Sequence, residues 1–218
     1  MGKRTRFIFI FCLTWTLTAG AQNTIENIRK EYQAVHEMIA QMTPDKDGMW
    51  QMPPTYFDLN VVQNLPATGP HKENIRMYYG ELESDEEEYN PYPPHYLRFT
   101  TAKYNFAARE FYEEYLYDNK GNVMFIYAIT PDVCNDGSMI PYELRMWFNG
   151  KQLLRFNAKK FNGPFTSLDI KALKKGTFKD EYTGKTIPEL YRDEAERCQQ
   201  RATRFLTMFK GIDDNTYL

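Results

Sequence analysis

Cysteine is scarce: Cys12, Cys134 and Cys198 are the only three in 218 residues. No Cys-x-x-Cys pair occurs. The histidines, His36, His71 and His95, lack the three- or four-residue spacing of a helical zinc site. No metal and no cofactor is expected on these grounds. Nucleophile motifs are missing too, with no G-x-S-x-G, no S-x-x-K and no glycine-rich phosphate loop. No basic cluster with interleaved aromatics occurs. Lys171, Lys174 and Lys175 are too few to follow a phosphate backbone, so nucleic-acid binding is not expected. The apolar run Phe7 to Thr18 falls short of the ~20 residues of a membrane-spanning helix, and no stable span is expected once it is removed.

That run reads instead as part of an export signal. Lys3, Arg4 and Arg6 precede it, and Ala19-Gly20-Ala21 supplies the small residues needed for cleavage after Ala21. Residues 1–21 are therefore expected to be a signal peptide, and 22–218 a single secreted or periplasmic domain. Cleavage takes three of the 27 basic residues and none of the 29 acidic ones, leaving 24 against 29, a net charge of −5 with histidine neutral. That balance favours solubility. In an oxidising compartment Cys134 and Cys198 are a candidate disulfide, pinning a loop to a helix. The alternative is a loop thiol and a small buried side chain.

Aromatic residues are plentiful, and from Arg109 to Asn157 they recur at intervals of two, the period of a strand. In EFYEEYLY, Phe111, Glu113, Tyr115 and Tyr117 take one side, and Tyr112, Glu114 and Leu116 the other. Asp118 to Asn122 reverses the chain, Gly121 supplying the positive φ a short hairpin loop needs. VMFIYAIT is apolar on both sides, which predicts a central, covered strand. YELRMWF sets Tyr142, Leu144, Met146 and Phe148 opposite Glu143, Arg145 and Trp147. Asn149-Gly150 turns it into KQLLRFN. The text YLYDNKGNVMFIYAI…YELRMWFNGKQLLRF resembles uncharacterised small secreted or periplasmic bacterial proteins. The resemblance implies compartment and sheet architecture and carries no catalytic residue.

Further strands are expected at 56–64, 75–82 and 96–104. Asn23 to Met42 should be an amphipathic helix, capped by Asn23 with Glu26, its stripe formed by Ile25, Ile28, Tyr32, Val35, Ile39 and Met42. Residues 165–184 show no strong period. Thr186 is expected to cap a last helix whose apolar face includes Leu190, Ala195, Cys198, Ala202, Phe205 and Phe209, with Gly211 as its stop. The acidic run Glu81, Glu83 and Asp85 to Glu88, with the prolines after it, reads as an exposed loop.

The fold expected is α+β: a curved antiparallel meander of about six strands with an N-terminal and a C-terminal helix packed across one face. The functional expectation is a non-enzymatic binding or interaction module for a protein, small-molecule or glycan partner. Tyr112, Tyr127, Tyr142 and Trp147 on a concave face, and Tyr92 and Tyr96 beside the proline loop, are the candidate contacts. The alternative is an envelope- or carbohydrate-directed hydrolase using Glu113 or Glu143. Those carboxylates are read as solvent-facing unless a pocket holds them.

Overall fold

The computed structural model describes residues 24–82, 93–107, 109–131, 141–162 and 170–216. The expected signal peptide, the acidic run from Glu83 onward, Tyr92 and Cys134 lie outside the described residues. Eight strands pair in sequence order as one antiparallel sheet. They are β1 (Tyr56–Leu65), β2 (Gly69–Glu81), β3 (His95–Phe106), β4 (Arg109–Tyr117), β5 (Val123–Thr130), β6 (Tyr142–Asn149), β7 (Gln152–Phe161) and β8 (Phe178–Gly184). The helices are α1 (Ile25–Gln41), the six-residue α2 (Ile170–Lys175) and α3 (Arg192–Thr216). The expected turns form: Gly121 takes φ 80° and Gly150 φ 56°, and Asp118 Oδ1 accepts the backbone N–H groups of Lys120 and Asn122 at 2.9 and 2.8 Å.

Register arranges the side chains in rows across the sheet. On one face Tyr56, Tyr78, Phe99, Leu116, Phe125, Trp147 and Arg155 stand opposite one another in turn, from β1 to β7. Beside this largely aromatic row runs a polar one: Asp58, Arg76, Thr101, Glu114, Tyr127, Arg145, Asn157 and Thr183. The other face carries Leu59, Ile75, Ala102, Glu113, Ala128, Leu144, Ala158 and Tyr182 in one row. Bulges adjust the alternation. At one of them Arg98 is the extra residue, so that Leu97 and Phe99 belong to clusters on opposite faces.

Both faces are covered. The aromatic side packs on Ile28, Val35 and Met42 of α1 and its end. The other packs on Ala195, Cys198, Ala202, Phe205 and Phe209 of α3. The expectation that both helices share one face is thus corrected, and the cause lies in the central strands: with apolar side chains on both sides they need a cover on each. α1 is anchored more lightly, since Ile28 and Val35 are its only buried residues, whereas α3 buries five side chains.

Other expectations change in detail. Thr24, not Asn23, caps α1, its side chain accepting the Asn27 N–H at 3.2 Å. A 3-10 turn (Glu189–Tyr191) precedes α3, leaving Leu190 50% exposed, and Thr186 bonds the Tyr182 hydroxyl instead of capping. α3 runs through Gly211 to Thr216; its last turns are tied to β3 by His95 and Asp213, 2.8 Å apart. β8 and α2, both within the stretch without a strong period, complete the sheet and a third small cluster. β8 is an edge strand with no fully buried residue, so burial imposes no alternation on it.

Candidate functional site

β4 brings two adjacent carboxylates to opposite faces, and both are buried: Glu113 is 1% and Glu114 3% exposed. The solvent-facing reading of Glu113 and Glu143 is corrected, because the helices that cover both faces also cover these side chains. On the α3 face Glu113 accepts the hydroxyls of Tyr104 and Tyr115 at 2.8 and 2.6 Å. It also pairs with Arg197 at 2.6 Å and Arg201 at 2.7 Å, one helical turn apart on α3. Arg201 reaches on to Glu73, and Arg197 to Glu194, which accepts the Thr130 hydroxyl. Burial opposes the charge on Glu113, but the two guanidiniums outweigh it and hold the carboxyl below its usual range. Glu113 lines none of the cavities described below, and this cluster joins helix to sheet.

The α1 face is different. Where the polar and aromatic rows run side by side, a half-open cavity of about 370 Å³ lies between α1, α2 and the sheet. Ile28, Arg29 and Tyr32 wall it from α1, Lys174 from α2, and Glu114, Phe125, Tyr127, Arg145 and Trp147 from the sheet. Its volume falls within the range of small-molecule sites, roughly 300–1,000 Å³.

Glu114 accepts the hydroxyls of Tyr112, at 2.6 Å, and Tyr32, and His36 Nε2 stands 3.5 Å away. Burial raises the Glu114 carboxyl, yet His36 and the two phenols together leave it lowered and ionised. Burial also drives the Tyr32 and Tyr112 phenols upward, so they remain donors. Glu143, just outside the lining, accepts the Tyr127 hydroxyl at 2.8 Å and pairs with Arg145 at 2.9 Å.

Cations converge on the rings. The Arg29 and Arg155 guanidiniums lie 5.9 and 5.6 Å from the Trp147 ring centroid, and Arg145 lies 5.5 Å from that of Tyr127. Lys174 Nζ sits 3.1 Å from the Tyr112 centroid, and burial lowers its pKa.

Of the residues singled out from sequence, Tyr127 and Trp147 line this cavity and Tyr112 stands behind it. Tyr142 is on the opposite face, buried against Tyr191 at 5.5 Å between centroids. Tyr96 lines a separate depression with His95, Phe209 and Asp213. Cys198 is fully buried on α3, where burial, Glu113 and Glu194 push its thiol well up. Sequence reasoning passed over Glu114, Arg145, Arg29, Tyr32 and Lys174. A signal for Glu114 was present: a strand beside one covered on both faces cannot send two adjacent carboxylates to water. For Arg29 and Lys174 no local pattern exists, since they meet only through tertiary packing.

The larger groove, about 580 Å³ across β1–β4, mixes apolar Val61, Val62, Pro70 and Ala107 with polar and charged side chains. Several of its groups satisfy one another: the Asn105 amide donates to the Pro70 and Ala107 carbonyls, and Lys103 pairs with Glu110.

Fold and site together define an α+β domain of one eight-stranded antiparallel sheet between helical covers, with a charged aromatic cavity under one of them. No family profile, no curated protein and no solved structure matches the chain.

Proposed function

We propose that the mature chain is a secreted or periplasmic, non-enzymatic binding protein, and that its ligand occupies the cavity between α1, α2 and the sheet. Export follows from the basic start, the apolar run 7–18 and Ala19-Gly20-Ala21. One observation carries the binding reading. The polar and aromatic rows meet at a hollow that the protein's own side chains leave partly empty, with Tyr127 and Trp147 on its wall.

The hydrolase alternative has less in its favour. Glu113 and Glu143 are each tied to arginine and neither lines this cavity. The single carboxylate that does, Glu114, is kept ionised, whereas glycoside hydrolysis needs a second group able to hold a proton.

A fragment screen by NMR tests the site. Mature protein labelled at tryptophan carries two indole reporters, Trp147 in the cavity and Trp50, 46% exposed on a loop. Binders are expected to move the Trp147 resonance and spare Trp50. If hits move neither, or act equally on a Tyr127→Ala variant, the cavity is not the binding site.

A further inference from the structure

The ligand class follows from which groups in the cavity are already satisfied; this step rests on the cavity being the ligand site. The lining contains three cations, Arg29, Arg145 and Lys174, and one carboxylate, Glu114. Both Glu114 oxygens are occupied, Oε1 by Tyr112 and Oε2 by Tyr32. Its charge is already shared by two donors, and it is outnumbered by three cations.

The cations are less well served. Arg145 pairs through one terminal nitrogen with Glu143, while its buried Nε has no partner. Arg29, exposed on α1, has no carboxylate within pairing distance among the described residues and rests on the Trp147 ring. Lys174, exposed on α2, faces the Tyr112 ring and has no carboxylate within pairing distance among the described residues. Phe125, Trp147 and Tyr32 supply flat apolar surface beside these groups.

We propose that the cavity selects an organic anion with a flat apolar body, its acidic group held by Arg29 with Arg145 and Lys174, its body against Trp147 and Phe125. Arg29 lies on the most lightly held wall and makes the headgroup contact easiest to remove without harm to the fold.

Calorimetry with four probes tests this: 2-naphthoate, 2-naphthyl phosphate, the neutral 2-naphthalenemethanol, and inorganic phosphate. At least one naphthyl anion is expected to bind roughly tenfold or more tighter than the alcohol, a difference of about 1.4 kcal/mol. Added salt should weaken it. Arg29→Gln should weaken the anion several-fold and leave the alcohol unchanged. Carboxylate and phosphate both satisfy the proposal, and their ranking identifies the headgroup.

Three results would overturn it. Equal binding of the alcohol, indifferent to Arg29→Gln, removes the selection for charge while the cavity still binds. Inorganic phosphate binding as tightly as the naphthyl anions removes the flat body. If no probe moves the Trp147 indole resonance, the ligand site itself is misplaced, which is a separate failure.

Discussion

Glu113 and Glu114 are neighbours in the chain on opposite faces of β4, and each is held ionised by a different kind of partner. Glu113 faces two guanidiniums and two phenols, Glu114 two phenols and an imidazole. Removing the charge therefore has unequal consequences. Glu113→Gln breaks two buried ion pairs at once, leaving Arg197 only Glu194 and Arg201 only Glu73, and should cost about 3–5 kcal/mol in urea unfolding. Glu114→Gln weakens the bonds accepted from two phenols and should cost less, about 1–3 kcal/mol. Both carboxyls are depressed in the folded state, so the unfolded chain binds these protons more tightly. Their stabilisation is complete above the ordinary glutamate value of about 4.3 and is lost as pH falls below it, through the folded values. Unfolding free energies measured between pH 7 and pH 3 should drop at the acid end. The drop should be shallower in the Glu113→Gln, Glu114→Gln double variant.

At the scale of the element, α3 and α1 do the same task with different strength. α3 presents Ala195, Cys198 and Ala202, all fully buried, to a sheet face whose row includes Ala102, Ala128 and Ala158. The Tyr117 hydroxyl donates to the Ala202 carbonyl at 2.9 Å. Such close packing leaves no room for larger side chains: Ala202→Leu should cost about 1–3 kcal/mol, against less than about 0.5 for Arg204→Ala on the exposed side, read by thermal or urea unfolding. α1 has only Ile28 and Val35 fully buried, with Tyr32 to Glu114 and Arg98 to Glu31 as tethers. Its amides should exchange with solvent faster than those of α3 by local opening, as hydrogen exchange with mass spectrometry would show.

For the molecule as a whole, the strands with alternating aromatics were legible in the sequence, and so were the long helices. Alternation over Phe111–Tyr117, Val123–Ile129 and Tyr142–Phe148 reflects burial on two faces, which is a local property of the chain. The two-sided cover was implied by the same lines, since strands apolar on both sides require two covers, yet both helices were expected on one face. What stayed hidden was relational. β8 shows no period because little of it is buried, and the last turns of α3 are tied to a distant strand through Asp213 and His95. The cavity was half visible: Tyr127 and Trp147 follow from aromatic content, whereas Arg29 and Lys174 approach them only once three layers have assembled.

The light anchoring of α1 has one last consequence. The sheet supplies the floor of the hollow, and the helix that supplies Ile28, Arg29 and Tyr32 is its more lightly anchored side. A guest lodged there would rivet that side to the floor. Occupancy would then be announced by a quieter α1, with the strands beneath it unmoved.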